Sequence, residues 1–174
     1  MLLEAKNFAL KAHDGDKYGA YPYSKHLNDV YNVLVTFGIF KERILALGWV
    51  HDTIEDTQVV YEDVSDEFGE IFADKAYLIT DKRGKNRKER HRNTYPALAE
   101  DHEVRLVKLA DRIANITMTM HDSQEKFIMY EKEFAYFKEV LQAVMKEEDE
   151  FHVIEVRMWE HLEKLLDVGP FIEY

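Results

Sequence analysis

Two histidines and two aspartates, spread over three predicted helices, are the residues of this sequence best suited to metal chemistry. His51 and Asp52 are adjacent at the end of an apolar helix, His26 lies on an earlier helix, and Asp111 lies on a later one. Imidazole nitrogens and carboxylate oxygens that converge from several helices can hold one divalent ion, and this ligand set suits Mn, Fe, Zn or Co better than Mg or Ca. The alternative is a structural pair, because a single histidine is more often satisfied in a core or solvated than bound to a metal.

The composition excludes several other kinds of site. The 174 residues include no cysteine, which excludes disulfides, a thiol nucleophile and Cys-ligated metals. Gly84 and Lys85 do not belong to a phosphate-binding loop of the Walker type, because Ile79 stands where that loop requires a glycine. With three serines and no Gly-x-Ser-x-Gly motif, a serine hydrolase is also disfavoured.

The charge distribution points to a small anionic ligand. The net charge of −11 disfavours generic binding to nucleic acid, because the phosphate backbone would be repelled at long range. Positive charge is nevertheless concentrated between Lys82 and Arg92, where seven Lys and Arg side chains accompany Glu89 alone. This basic segment either contacts an anionic substrate or is a solvated helix face.

Apolar periodicity predicts an all-α fold, since no alternating segment is long enough for a sheet. Asp111 is expected to be buried on a helix that is apolar on most sides. Residues 14–22 and 53–60 are expected to be loops, Ser24 is a candidate N-cap, and Pro96 is expected to kink or restart its helix. The predicted helices cover about residues 2–13, 24–37, 41–51, 62–68, 71–80, 88–99, 103–116, 124–146 and 151–167.

The length of 174 residues predicts one domain. We expect its core, which carries the three motifs described below, at about 5–120 and its C-terminal helices at about 123–168. We expect the aromatic stripes of those last helices to be core, and the acidic stretch 146–150 to be a solvated turn. The N-terminus does not resemble a signal peptide, and no apolar run is long enough to span a bilayer. A cytoplasmic protein without membrane contact is therefore expected, and a homo-oligomer is possible.

Three ordered motifs resemble the HD-domain superfamily, specifically its RelA/SpoT-type branch of guanosine tetraphosphate hydrolases. The motifs are His51-Asp52-Thr53-Ile54-Glu55-Asp56-Thr57, the segment Val107-Lys108-Leu109-Ala110-Asp111-Arg112-Ile113-Ala114-Asn115, and Pro22-Tyr23-Ser24-Lys25-His26. The resemblance extends from about Ala5 to Asn115. It implies a single HD-type helical bundle that removes the 3′-pyrophosphate of guanosine tetra- or pentaphosphate to give GDP or GTP and pyrophosphate.

The resemblance also implies roles for particular residues. His26, His51, Asp52 and Asp111 would hold one Mn²⁺ or another divalent transition metal. Glu55 and Asp56 would position or deprotonate the attacking water, whereas Arg112 would bind phosphate or serve as a structural ion-pair partner. The residues expected at the substrate are Lys17, Lys85, Arg87, Lys88 and Asn115.

Two alternatives remain open at this point. In the first alternative the protein is still a hydrolase, but its substrate is another nucleotide, such as a deoxynucleotide, a cyclic nucleotide or an NADPH-like 2′-phosphate. The reason is that Tyr18 and Tyr21 stand in the loop where the family usually has basic residues around the base. Alternatively, the domain is a non-catalytic module that binds a nucleotide. The other histidines are expected to be satisfied in the core or solvated: His13, His91, His102, His121, His152 and His161.

Overall fold

The structure, a computed structural model, describes residues 1–170. These residues confirm the all-α fold, with one short hairpin as the exception. The helices are α1 (Leu2–Ala12), α2 (Ser24–Thr36), α3 (Glu42–Val50), α4 (Thr53–Asp56), α5 (Tyr61–Phe68), α6 (Glu70–Ile79), α7 (Arg87–Ala99), α8 (His102–Asp122), α9 (Gln124–Gln142) and α10 (His152–Val168), and the strands are β1 (Lys17–Tyr18) and β2 (Tyr21–Pro22).

The segment predicted as a loop at 14–22 contains this hairpin. Its antiparallel strands pair Lys17 with Pro22 and Tyr18 with Tyr21, and Gly19 takes a φ of 61° in the turn between them. Strands of two residues are too short to produce an alternating pattern, so they could not be predicted from the sequence. The candidate cap Ser24 is the first residue of α2, and the cap position is Tyr23, whose side chain does not cap the helix.

Helix α8 is the central element of the fold. It packs against α2, α3, α6, α7, α9 and α10, and 14 of its 21 residues are buried. Asp101 starts this helix by accepting hydrogen bonds from the amides of Glu103 and Val104. Asp111 is buried on it as expected, with 7% of its surface exposed. A polar side chain on the buried face of α8 must therefore find its partners inside the protein.

Helices α2 and α3 approach each other closely at a glycine. A Cβ atom added to Gly48 would lie 2.8 Å from the Leu34 Cδ1 atom, which is too close for a larger residue without movement. This approach places His26, near the start of α2, beside His51, which directly follows α3. The chain then makes one further helical turn, α4, where the sequence predicted departure from the helix.

Pro96 lies inside the continuous helix α7, so the helix does not restart there. The proline removes the hydrogen bond that the Arg92 carbonyl would otherwise accept. Both Arg92 and Pro96 lie on the exposed side of α7, where water can satisfy that carbonyl, and the helix ends one turn later.

A buried ion pair joins α8 to the C-terminal helix. The Arg105 guanidinium donates to Glu155 at 2.8 and 3.0 Å, to Asp149 at 3.1 Å and to the Ala99 carbonyl at 2.6 Å. Asp149 therefore anchors the acidic stretch 146–150, and Glu150 also pairs with Lys41 at 2.6 Å. The expected solvated turn is confirmed for most of the stretch, because residues 146–148 and 150 are exposed, whereas the Asp149 carboxylate is half-buried against Arg105.

One continuous hydrophobic cluster runs from Ala5 on α1 to Leu162 on α10 and includes buried residues from most of the helices. Within residues 1–170, no helix is both long and apolar enough to cross a membrane. Because the hydrophobic cluster includes residues of α9 and α10, these two C-terminal helices pack directly on the helices that carry the three motifs.

We predict that Glu155→Ala destabilises the protein by about 3 kcal/mol, because it leaves the Arg105 guanidinium buried with only part of its charge compensated. Urea unfolding followed by circular dichroism measures this change. Glu160→Ala is the matched control, since Glu160 is exposed on the same helix. Equal unfolding free energies for the two variants would contradict a stabilising role for the pair.

Candidate active site and metal centre

Four polar side chains from three parts of the fold converge at one point. The Nε2 atom of His26 lies 3.3 Å from His51 Nε2 and 3.3 Å from Asp52 Oδ2. The Oδ1 atom of Asp111 lies 3.4 Å from His26 Nε2 and 3.9 Å from His51 Nε2. Asp52 Oδ2 is also 3.0 Å from His51 Nε2. Asp52 and Asp111 thus each bring an oxygen close to the histidine nitrogens, and the donor atoms of His26, His51 and Asp111 all lie within 4.8 Å of one another.

The orientation of His51 is fixed by the backbone of α3. Its Nδ1 atom lies 2.9 Å from the Gly48 carbonyl oxygen, which can only accept a hydrogen bond. Nδ1 therefore carries a proton, and in a neutral ring the lone pair is on Nε2. A carbonyl partner of this kind is the usual outer support of a metal-binding histidine. His51 consequently presents its free nitrogen to the cluster.

The donor set fits a divalent transition metal. Bonds of about 2.1 Å at right angles separate neighbouring donor atoms by about 3 Å, close to the shorter spacings here. Burial alone would lower the pKa of His26, but its hydrogen bonds to Asp111 and Asp52 outweigh this effect and raise the pKa to about 9. A positive charge is thus favoured at this point. His26, His51 and Asp111 are all buried and can hold an ion together.

Helix α4 presents two further carboxylates beside the cluster. Glu55 accepts a hydrogen bond from the Asp81 amide at 2.9 Å, and burial raises the pKa of its carboxyl. Asp56 has a raised pKa because of burial and the nearby Asp52 charge. The Tyr23 hydroxyl lies between Asp52 and Asp56, 2.7 and 2.8 Å from their Oδ2 atoms. Carboxylates with raised pKa values are better bases near neutral pH.

These side chains line a cavity of about 150 Å³ whose opposite wall is cationic. Arg87 and Arg112 both donate to the Glu133 carboxylate, at 2.6 and 3.3 Å, and both guanidinium groups lie against the Tyr130 ring. Lys108, one turn before Asp111, places its Nζ atom 3.2 Å from Asp111 Oδ2. One carboxylate shared by two guanidinium groups leaves net positive charge on this wall.

His91 also lies in the cationic wall and is held neutral, first by burial and then by the neighbouring charges. Burial, followed by the charges of Arg87 and Arg112, lowers the pKa of His91 to about 3. Its ring stacks on Tyr95 with a centroid separation of 4.6 Å. A protonated His91 ring is therefore disfavoured beside the two arginines. An anion, in contrast, would be attracted by the charge of this wall.

The residues expected at the substrate are not all in this cavity. Arg87 and Asn115 line it, whereas Lys17, Lys85 and Lys88 are exposed and do not. Lys17 lines a shallow groove elsewhere, together with His13 and Tyr23. The substrate roles of these three lysines remain predictions.

The sequence reasoning missed Lys108 and Tyr130 as residues of the cavity, and Glu133 as the carboxylate that holds its two arginines. Lys108 stands three residues before Asp111, a spacing that places both on one helical face and could have indicated the pair. Glu133 and Tyr130 lie on α9 and carry no local signal, because an aromatic stripe is usually core. Helix α9 therefore contributes directly to the cavity.

A groove of about 520 Å³ continues from the cavity between the hairpin and the end of α8. Tyr18, Asn115 and Tyr130 line both spaces. The other groove residues on α8 follow the same helical face: Met118, Thr119 and Asp122. A ligand longer than the cavity can thus extend along α8 into the groove.

An all-α bundle with a His and Asp cluster of this arrangement is a domain of the HD type, able to hold a divalent metal. The chain is 31% identical to the guanosine-3′,5′-bis(diphosphate) 3′-pyrophosphohydrolase MESH1 of Danio rerio over 121 residues, which cover 67% of each chain. It is 35% identical over 128 residues to the guanosine-3′,5′-bis(diphosphate) 3′-pyrophosphohydrolase of Aquifex aeolicus, covering 70% of this chain and 18% of that relative. No protein-family model matches the sequence.

The fold agrees with a solved structure described as a metazoan ortholog of SpoT that hydrolyzes ppGpp. The TM-score is 0.71 at 22% identity, and the superposition covers 95% of this chain and 96% of the other. This likeness concerns the fold, whereas the MESH1 match concerns the sequence. The chain belongs to the family of guanosine-3′,5′-bis(diphosphate) 3′-pyrophosphohydrolases.

We predict that His91 stays neutral in the folded protein from pH 7 down to pH 5, because its pKa is lowered to about 3. In the unfolded chain the same ring takes up a proton near pH 6.5, so acidification between 6.5 and 3 favours unfolding. An NMR titration of the assigned imidazole measures this, with the urea-unfolded protein as control. A folded-state midpoint near 6.5 would show that neither burial nor the cationic wall lowers the pKa of His91.

Proposed function

We propose that this protein is a metal-dependent phosphohydrolase that removes the 3′-pyrophosphate of guanosine tetra- or pentaphosphate and releases GDP or GTP with pyrophosphate. The observation that carries this proposal is the convergence of His26, His51, Asp52 and Asp111 at a cavity with a cationic wall. The names of the related proteins support the choice of substrate.

The four converging residues would hold one Mn²⁺ or a similar divalent ion. When bound, such an ion lowers the pKa of water and offsets negative charge that develops at phosphorus. The two imidazoles and two carboxylates are the donor types that Mn²⁺ accepts. The remaining steps of the proposal concern the side chains of this chain.

Glu55 and Asp56 would position the attacking water and take its proton. Each has one carboxylate oxygen held by a neighbour, the Asp81 amide and the Tyr23 hydroxyl respectively, and a second oxygen for which no partner is seen in residues 1–170. The new bond forms between the water oxygen and the 3′ α-phosphorus. The bond between that phosphorus and the ribose 3′ oxygen breaks, and the proton ends on the 3′ oxygen of the nucleotide.

The cationic wall would bind the 3′-pyrophosphate group of the substrate, which is released as pyrophosphate. Guanidinium groups make charge-assisted, bidentate contacts to phosphate, and Arg87 and Arg112 are presented side by side by Glu133 and Tyr130. Because a nucleotide exceeds the cavity of about 150 Å³, the nucleoside would occupy the adjoining groove. Asn115 lies where the two spaces meet.

The rest of the proposal concerns the organisation of the protein. We treat residues 1–174 as one HD-type domain, because a single hydrophobic cluster connects the described helices. We place it in the cytoplasm, consistent with the lack of cysteine. The small-molecule nucleotide is the proposed partner, and a homo-oligomer is compatible with this site, which lies within one chain.

We predict that the metal-stripped protein hydrolyses guanosine tetraphosphate once Mn²⁺ is added, with GDP and pyrophosphate as products on ion-exchange chromatography. His51→Ala removes one donor, so bound Mn²⁺ and activity should be lost together. Circular dichroism checks that this variant keeps its helices.

Three results would contradict the proposal in different ways. An active variant without bound metal would overturn the metal role. Turnover of another nucleotide but not of guanosine tetraphosphate would overturn the substrate and keep the hydrolase class. Tight nucleotide binding without turnover, whichever divalent ion is present, would establish a binding module instead.

We predict that Arg87→Gln raises the KM for guanosine tetraphosphate about tenfold, the loss of one charge-assisted phosphate contact. Steady-state kinetics at saturating Mn²⁺ measure this change. Arg92→Gln is the matched control, because Arg92 lies on the same helix but on its exposed side. If both variants raise KM equally, the effect comes from the general charge of the basic segment and not from the cavity.

A further inference from the structure

The hairpin of β1 and β2 is connected to the proposed metal ligands through one tyrosine. The Tyr18 hydroxyl donates a hydrogen bond of 2.5 Å to Asn115 Oδ1, and Asn115 Nδ2 in turn donates to Asp111 Oδ1. This Asp111 oxygen is the one that faces His26 and His51. A residue far from α8 in the sequence is thus connected to the ligand atom through a single amide.

The Asn115 amide is held at both ends: the Asp111 carboxylate can only accept, so Nδ2 faces it, and the Tyr18 hydroxyl holds the oxygen at the other end. A side-chain amide presents an oxygen at one end and an NH₂ at the other, and the two are nearly equal in shape. The Tyr18 hydroxyl can satisfy Oδ1, which leaves Nδ2 directed at Asp111. Without that donor the amide is held at one end only and can turn about its side-chain bonds. The hydrogen bond on the ligand side of the Asp111 carboxylate would then be held less firmly.

The other contacts of Asp111 and Tyr18 make this position well defined. Lys108 Nζ lies 3.2 Å from Asp111 Oδ2, so the two carboxylate oxygens are held from opposite sides by Lys108 and Asn115. The Tyr18 ring also stacks on His26, with centroids 4.7 Å apart and planes inclined by 27°. Tyr18 therefore contacts one proposed ligand directly and reaches a second through Asn115.

We propose that Tyr18 is a positioning residue for the metal centre, and that its hydroxyl acts through Asn115 to hold Asp111 Oδ1 in the ligating orientation. This inference rests on the metal role in the proposed function, but not on the identity of the nucleotide. It also gives Asn115 a structural task besides its predicted contact with substrate. Outer partners of metal ligands typically contribute tenfold to a hundredfold in metal affinity.

Tyr18→Phe tests the proposal, because it removes the hydroxyl and keeps the ring that stacks on His26. We expect the metal-stripped variant to bind Mn²⁺ about tenfold more weakly than the wild type in a titration followed by electron paramagnetic resonance. Tyr21→Phe is the control for Mn²⁺ affinity, since it removes a hydroxyl from the same hairpin for which residues 1–170 show no hydrogen bond. Thermal melts of the metal-free proteins check that all variants are folded.

The double variant Tyr18→Phe/Asn115→Ala shows whether the hydroxyl acts through the amide. If it does, the double variant binds Mn²⁺ as weakly as Asn115→Ala alone, because the pathway is already broken. Wild-type affinity in Tyr18→Phe, or losses that multiply in the double variant, would overturn the proposal. The Mn²⁺ titration contains no nucleotide. Its result therefore does not depend on whether the protein hydrolyses guanosine tetraphosphate. A wild type that binds no Mn²⁺ would overturn both proposals.

Discussion

The structure depends on keeping the Asp111 carboxylate charged inside the protein. An isolated buried carboxylate costs several kcal/mol, so α8 can carry this residue only with compensating partners. Burial would raise the pKa of Asp111, yet Lys108 and then His26 keep it well below its ordinary range. Lys108 comes from the same helix and His26 from α2. The packing of α2 on α8 is therefore also the assembly of the site.

The C-terminal helices serve the same site from the other side. Glu133 on α9 holds Arg87 of α7 and Arg112 of α8 together, and Tyr130 provides the ring beneath both guanidinium groups. Helix α10 is fixed to α8 by the buried pair of Arg105 and Glu155. Since α8 also carries Asp111, a loss of packing at α9 or α10 would also change the position of this proposed metal ligand. The motif-bearing helices do not form the cavity alone.

Periodicity predicted the helices because each has an apolar face, and the three motifs indicated which residues would converge. The orientation of the basic segment was less accessible, since a run of charges does not show which member faces inwards. Helix α7 has a buried face that includes His91, Tyr95 and Leu98, and counting back one turn from His91 selects Arg87 rather than Lys88. The hairpin and the turn at α4 were not predictable, because elements of two to four residues lack a period.

The balance of charge in the cavity links the two ligands of the proposed reaction. Asp52 and Asp111 together carry two negative charges, and the carboxyl groups of Glu55 and Asp56 lie on the same side of the cavity. The Glu133 carboxylate also cancels one of the two guanidinium charges opposite. A polyphosphate that approaches a protein of net charge −11 would thus meet repulsion at the cluster unless a divalent cation occupies it. On this reasoning nucleotide and metal favour each other's binding, and by thermodynamic reciprocity the coupling is the same in both directions.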